Sequence, residues 1–286
     1  MGTWGAGLYE NDIAADLKCA ISLVAKVPVG GAKLLHILRE MKDVRGLDSI
    51  EDQTFWLVLA DQFEKRGIAC PEVTANALSL IADGKNLERL KGHGSEAKFL
   101  AKRSKVLADL SGRLRSPRPP MPRTAPQKPP DILVEPGEIY LFPTMNGYSS
   151  RPPQNKPFVA NGWGTLLILA TGRAFDWLPW CALASVATDP SLKPTMQAAL
   201  SERLILHPQT DGAARCIPRR SDIRSMGLEL VGRVELEPSK VESVLSKWSV
   251  LMAIECGWSI SYAGFTREVQ GLPTSCYVSE LVQYAS

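Results

Sequence analysis

Histidine is scarce in this chain: three occur, at positions 36, 93 and 207, on separate segments. No H-E-x-x-H pair and no Cys/His spacing accompanies them, so the pattern offers no ligand set for metal catalysis. The six cysteines, at 19, 70, 181, 216, 256 and 276, include no C-x-x-C and are too scattered for a zinc site or a small disulfide scaffold. Reduced, mostly buried thiols are expected. Glycine-rich phosphate and dinucleotide loops are missing as well, because Gly5-x-Gly7 lacks both a third glycine and a preceding strand. Ser95-x-x-Lys98 has the spacing of penicillin-recognising enzymes, but no Lys-Thr-Gly follows it, and Ser95 reads as a helix cap. The longest apolar runs, near Cys19–Ala25 and Thr165–Ala170, fall well short of the roughly 18 residues that span a bilayer. Residues 1–6 lack the basic start and apolar stretch of a secretory signal. These absences predict no membrane span, no cofactor, no metal, no catalytic residue and a cytoplasmic location.

What is present is an ordinary globular composition, 45% apolar and 22% charged, over 286 residues, a length that suits two domains. The net charge of +3 is unevenly placed. Residues 1–112 are neutral and 133–286 carry one excess negative charge, so the positive excess lies in Arg113, Arg115, Arg118, Arg123 and Lys128. The same stretch holds prolines at 117, 119, 120, 122, 126, 129 and 130. Proline removes a backbone donor and biases its predecessor toward extended geometry, which excludes helix and central strand. Three segments follow: a domain over 1–114, a basic proline-rich linker over 115–132, and a second domain over 133–286.

Upstream of the linker the apolar period is helical. Ile13, Leu17, Ala20, Ile21 and Val24 form one stripe, with Asn11 placed to cap it. Further helices are predicted over 32–42, from Asp48 or Ser49 (with Ser49-x-x-Asp52 as a weak capping box), from Pro71, and from Ser95 to about Leu114. The third, apolar all round at Phe55–Ala60, is expected to be the central one. Five helices on short connections predict an all-α bundle. His36 lies in an apolar helical pattern and reads as partly buried.

Downstream the period changes. Leu228, Leu230, Val234 and Leu236 alternate with polar residues, as do Trp258, Ile260 and Tyr262, so both segments read as half-buried strands. Gly137–Phe142 and Thr165–Leu169 read as shorter, continuous apolar strands. A helix with an apolar face of Val241, Val244, Leu245, Trp248, Leu251 and Met252 is predicted behind Ser239-x-x-Glu242, and another over 195–204. The fold class is therefore α+β: a helical bundle, then a mostly antiparallel, curled β-sheet with one or two packed helices.

The opening residues Trp4, Gly5, Gly7, Tyr9, Asn11, Asp12, Ala14 and Asp16 resemble the start of a bacterial family known as domain of unknown function 4259, with Leu8 and Leu17 departing from its pattern. More weakly, residues 136–143, 165–169 and 227–234 resemble the strand order of the immunity protein 26-like family. The second resemblance implies binding to a toxin partner; neither implies a catalytic residue.

Read as physics, Gly5 and Gly7 allow a tight turn, Trp4 can fold back as an anchor, and Asp12 and Asp16 share a helix face. Lys98, Lys102 and Lys105 make a basic helix face, and Arg215, Arg219, Arg220 and Arg224 cluster in an expected loop. Trp177 and Trp180 concentrate aromatic surface in the second domain. The candidate partner-binding residues are thus Trp4, Asp12, Asp16, Arg219, Arg220, Trp177 and Trp180. The leading expectation is a non-enzymatic protein-interaction protein, plausible as an immunity or conflict-system factor. Two alternatives stay open: an enzyme with a pocket in the second domain, and nucleic-acid association through the basic linker.

Overall fold

The computed structural model describes residues 5–42, 49–116, 128–149, 157–206, 210, 212–245, 247, 249–266 and 273–283. The chain divides into two compact units, Met1–Lys128 and Pro129–Ser286. Trp4, His207, Trp248 and linker residues 117–127 lie outside the described residues.

The first unit is built of α1 (Asp12–Val24), α2 (Gly31–Lys42), α3 (Ile50–Lys65), α4 (Pro71–Ala82), α5 (Lys85–Gly92) and α6 (Ala97–Arg115). The Asn11 side chain caps α1 by accepting from the Ala14 N–H at 2.8 Å, and Ser49 does the same for α3 through Asp52. Every residue of α3 from Gln53 to Phe63 is buried, and α1, α4, α5 and α6 all pack on it. Its all-round apolarity is why it is the hub.

Three expectations need correction here. The polar segment Lys85–Gly92 forms an additional helix, held in place by the buried Asn86. Ser95 caps nothing: its N–H closes the end of α5 on the Leu90 carbonyl, and the position before α6 is Glu96, with no side-chain cap bond. His36 is exposed beside Glu40 on α2, the apolar pattern around it belonging to the other face.

The second unit centres on a six-stranded antiparallel sheet. Its strands are β1 (Glu138–Thr144), β2 (Gly162–Ala174), β3 (Leu178–Val186), β4 (Leu204–Ile205), β5 (Ala214–Cys216) and β6 (Glu229–Arg233). The order is β4-β3-β2-β1-β6, with β5 also pairing to β3. Both faces are covered. On one, Phe142, Leu166, Ile168, Cys181, Leu183 and Cys216 meet Met226 and Ile260. These two come from α8 (Arg220–Met226) and α11 (Ile260–Ala263). On the other, Ile139, Leu167, Leu169, Ala184 and Val186 meet Ala199 of α7 (Met196–Leu200), Val241 of α9 (Pro238–Val244) and the 3-10 turn Val278–Leu281. Burial on both faces accounts for the continuous apolar runs in β2 and β3. The class is α+β as expected, with shorter and more numerous helices than the one or two foreseen.

Several segments differ from their patterns. The long helix over 239–252 is two: α9 stops because Leu245 turns extended and bridges Ala213, and α10 (Val250–Cys256) begins afresh. Glu237 precedes α9, and Ser239 bonds its carboxylate rather than capping. Helix α7 ends early because the chain leaves to pair β4 with β3. Trp258, just before α11, and Tyr262 within it stack at 4.8 Å, so the segment is a turn entering a helix rather than a strand. The segment around 229–233 is a strand, β6, but its burial does not alternate as expected: it ends the path, and Leu230 is 53% exposed beside an exposed Glu229.

Candidate functional site

The glycine turn at the start of the first unit is a clasp. The Glu10 carboxylate folds back to accept the Gly7 N–H at 2.6 Å. A Cβ at Gly5 would stand 2.0 Å from that carboxylate, so a side chain there would displace Glu10 from the clasp. From α6, the buried Arg103 donates to the carbonyls of Ala6 and Gly7 and to the Asn86 side chain, which in turn donates to Gln53. Burial pulls the Arg103 guanidinium down to about 10, and the Glu10 charge partly offsets this, so it stays protonated at neutral pH.

Beside the clasp, Tyr9 donates to Asp61 of α3, a carboxylate that also receives Lys65 and Arg113, while Arg113 pairs with Glu64. Burial raises the Asp61 carboxyl, but the bonds from Lys65, Tyr9 and Arg113 outweigh it and hold the group below its ordinary range. Burial and the bond to Asp61 push the Tyr9 hydroxyl well up. Arg103 and Asp61 carried no signal in the sequence, and Arg113, counted there with the basic linker, lies in α6 and is ion-paired. Of the candidates, Asp12 is half-buried in the first turn of α1 and Asp16 is exposed one turn on.

The second unit gathers the aromatic candidates on one hairpin. The turn joining β2 to β3 runs Ala174-Phe175-Asp176-Trp177, with the Trp177 N–H returning to the Ala174 carbonyl at 3.0 Å. Both central residues have positive φ, 54° and 55°, a conformation that hairpins normally give to Asn and Gly. Strand β3 escaped notice because Pro179 interrupts it; β4 and β5 join β3 only from Cys181 onward, so no described strand pairs there on that side. Trp180 lies across Gly172, where any Cβ would come within 2.7 Å of the indole, and the Arg215 guanidinium stands 5.7 Å from the ring centre. Arg173 donates to the carbonyls of Trp177 and Pro130, bracing the hairpin. Trp177 is half-buried, with an indole N–H that meets no acceptor among the described residues.

The arginine group is split. Arg215 is in β5 and Arg220 and Arg224 in α8, with Arg219 at its start, so the expected loop is a strand and a helix. Arg219 donates to the Gly257 carbonyl at 3.5 Å, and Arg220 pairs with Asp131 at 3.0 Å. Trp180 alternates with Cys181, and Arg215 with Cys216, so their side chains leave the sheet on the face opposite α8. Arg219 and Arg220 therefore do not join the tryptophan site.

No group of three or more His, Cys, Asp or Glu side chains among the described residues is placed to hold a metal ion, and no helix among them is long and apolar enough to cross a membrane. In comparisons with known proteins, no family model matches the chain, and no curated protein or solved structure does either.

Proposed function

We propose that this is a protein-binding protein that acts without covalent chemistry, and that the tip of the β2–β3 hairpin is its docking surface. One observation carries the reading: a turn held in a costly left-handed conformation by Phe175 and Asp176 stands next to an indole laid flat on Gly172 and flanked by Arg215. Strained, non-glycine turns persist where they serve a site, and Trp and Arg are the side chains that concentrate binding energy. In the first unit, by contrast, Arg103, Asp61 and Arg113 are spent on holding the clasp and α3 together.

On this reading the resemblances to the domain of unknown function 4259 and immunity protein 26-like families point to an immunity or conflict-system factor working in the cytoplasm. Affinity purification of the full chain against the products of neighbouring genes tests it. A partner retained by the wild type and lost from Trp180→Ala supports the reading. A partner held equally by both moves the surface elsewhere, and no specific partner ends the proposal.

Nucleic-acid association is a second reading; the linker expected to carry it lies largely outside the described residues, and the observation that favours it is that Lys98, Lys102 and Lys105 are all exposed along one face of α6. Absence of any retardation of duplex DNA by the full chain would remove it, and retardation that survives replacement of these lysines would place the contact elsewhere.

A further inference from the structure

Cys181 of β3 and Cys216 of β5 are directly opposed in the antiparallel ladder. Their sulfurs stand 3.5 Å apart, and neither residue exceeds 1% exposure. Opposed residues in such a ladder have Cα atoms about 4.5–5.5 Å apart. That lies inside the span of about 4.4–6.8 Å over which disulfides form. The backbone is thus already placed for a bond that the side chains have not made. Cys19, by contrast, is exposed on α1.

We propose that Cys181 and Cys216 are a reversible modification site, a buried dithiol that closes to a cross-strand disulfide when a peroxide reaches it. One sulfur, as thiolate, attacks a peroxide oxygen; the S–O bond forms, the O–O bond breaks, and the departing oxygen leaves as water after taking a proton. The second sulfur then attacks the sulfenic sulfur, forming S–S and expelling the remaining oxygen as water. Two thiols and one hydrogen peroxide yield one disulfide and two waters, the protein losing two electrons that the peroxide gains.

The covering explains why the pair rests reduced. Met226 of α8 and Ile260 of α11 belong to the same buried cluster as the two cysteines, and both helices are short, of seven and four residues. The neighbouring Cys181 sulfur, burial and the Asp222 charge all push the Cys216 thiol upward, which slows reaction while the cover is shut. Local opening of elements this small admits a neutral oxidant. The consequence reaches the other face. Trp180 and Arg215 immediately precede the two cysteines in β3 and β5, so a disulfide would fix the strands beneath the aromatic–arginine pair. The dithiol assignment itself does not rest on the docking reading.

The test is to treat the full chain with hydrogen peroxide at a concentration that oxidises exposed Cys19, alkylate the remaining thiols after unfolding, and map the peptides. The expected result is a linked Cys181–Cys216 peptide pair that dithiothreitol separates, with a raised Tm for the linked form. Cys216→Ser should abolish the linked species and leave Cys181 as a sulfenic acid trappable by dimedone. Oxidised Cys19 with both Cys181 and Cys216 recovered as alkylated thiols overturns the proposal, whether or not the variant folds.

Discussion

Arg103 Nη1 donates to the Gly7 carbonyl at 2.9 Å, tying the last helix of the first unit to the turn that precedes its first helix. The same guanidinium serves Ala6 and Asn86, so three acceptors depend on one buried cation. Arg103→Ala removes that donor from all three, leaving Gly7 only the long bond from the Glu10 N–H at 3.5 Å, and should cost about 2–4 kcal/mol. Arg103→Lys should recover less than half of that, since an ammonium cannot reproduce the planar fork. Urea unfolding of the first unit, followed by helical circular dichroism, measures both.

Asp61 and Tyr9 give the first unit opposite pH limits. A carboxyl whose folded pKa is depressed lends stability that is present above its unfolded value, about 3.9, and is lost as pH falls through the folded one. Tyr9 is raised when folded, so its contribution is intact below about pH 10 and drains away above that. Asp61→Asn should flatten the acid side of the stability profile and Tyr9→Phe the alkaline side. Midpoints of urea denaturation across pH check the two signs separately. A profile unchanged in either variant would mean the network adds nothing on that side.

How much of this was legible in the residues follows from what each pattern measures. Helix α3 and the Asn11 cap were readable because all-round apolarity and a capping side chain act locally. Helix α5 was not, since its formation depends on Asn86 meeting Gln53 and Arg103 across the fold. Strand β3 was hidden because Pro179 argues against a strand unless its neighbours are known. The tryptophan candidates were visible by type alone. Gly172, which makes room for the Trp180 ring, and the turn at Phe175–Asp176 carried no signal, because neither residue pair is one that turns or packing favour.

Gly172 sets the pose of Trp180, and the two can be separated. Gly172→Val would place a side chain where the indole now lies, forcing the ring off the sheet. The fold should lose about 1–3 kcal/mol, the usual range for overpacking, while Trp180→Ala leaves an open shelf and costs less than burial in a core would. Tryptophan fluorescence should shift toward red in Gly172→Val as the ring is released to water. An unshifted spectrum would show that Trp180 does not rest there.

The turn itself supplies the sharpest separation of stability from binding. Phe175 and Asp176 both hold positive φ, and each such residue costs about 1–3 kcal/mol against a sequence suited to the turn. Replacing the pair with Asn-Gly keeps the backbone and removes the strain, because this is the dipeptide that mirror-image turns accept most readily. The double variant should therefore melt higher than the wild type, by several degrees given the size of the second unit. If the tip grips a partner, the same variant should bind more weakly despite its greater stability, since it has discarded the Phe175 ring and the Asp176 carboxylate. Stabilisation with undiminished partner capture would show that the strain serves something other than recognition at this hairpin. No stabilisation would show that the turn is not strained at all.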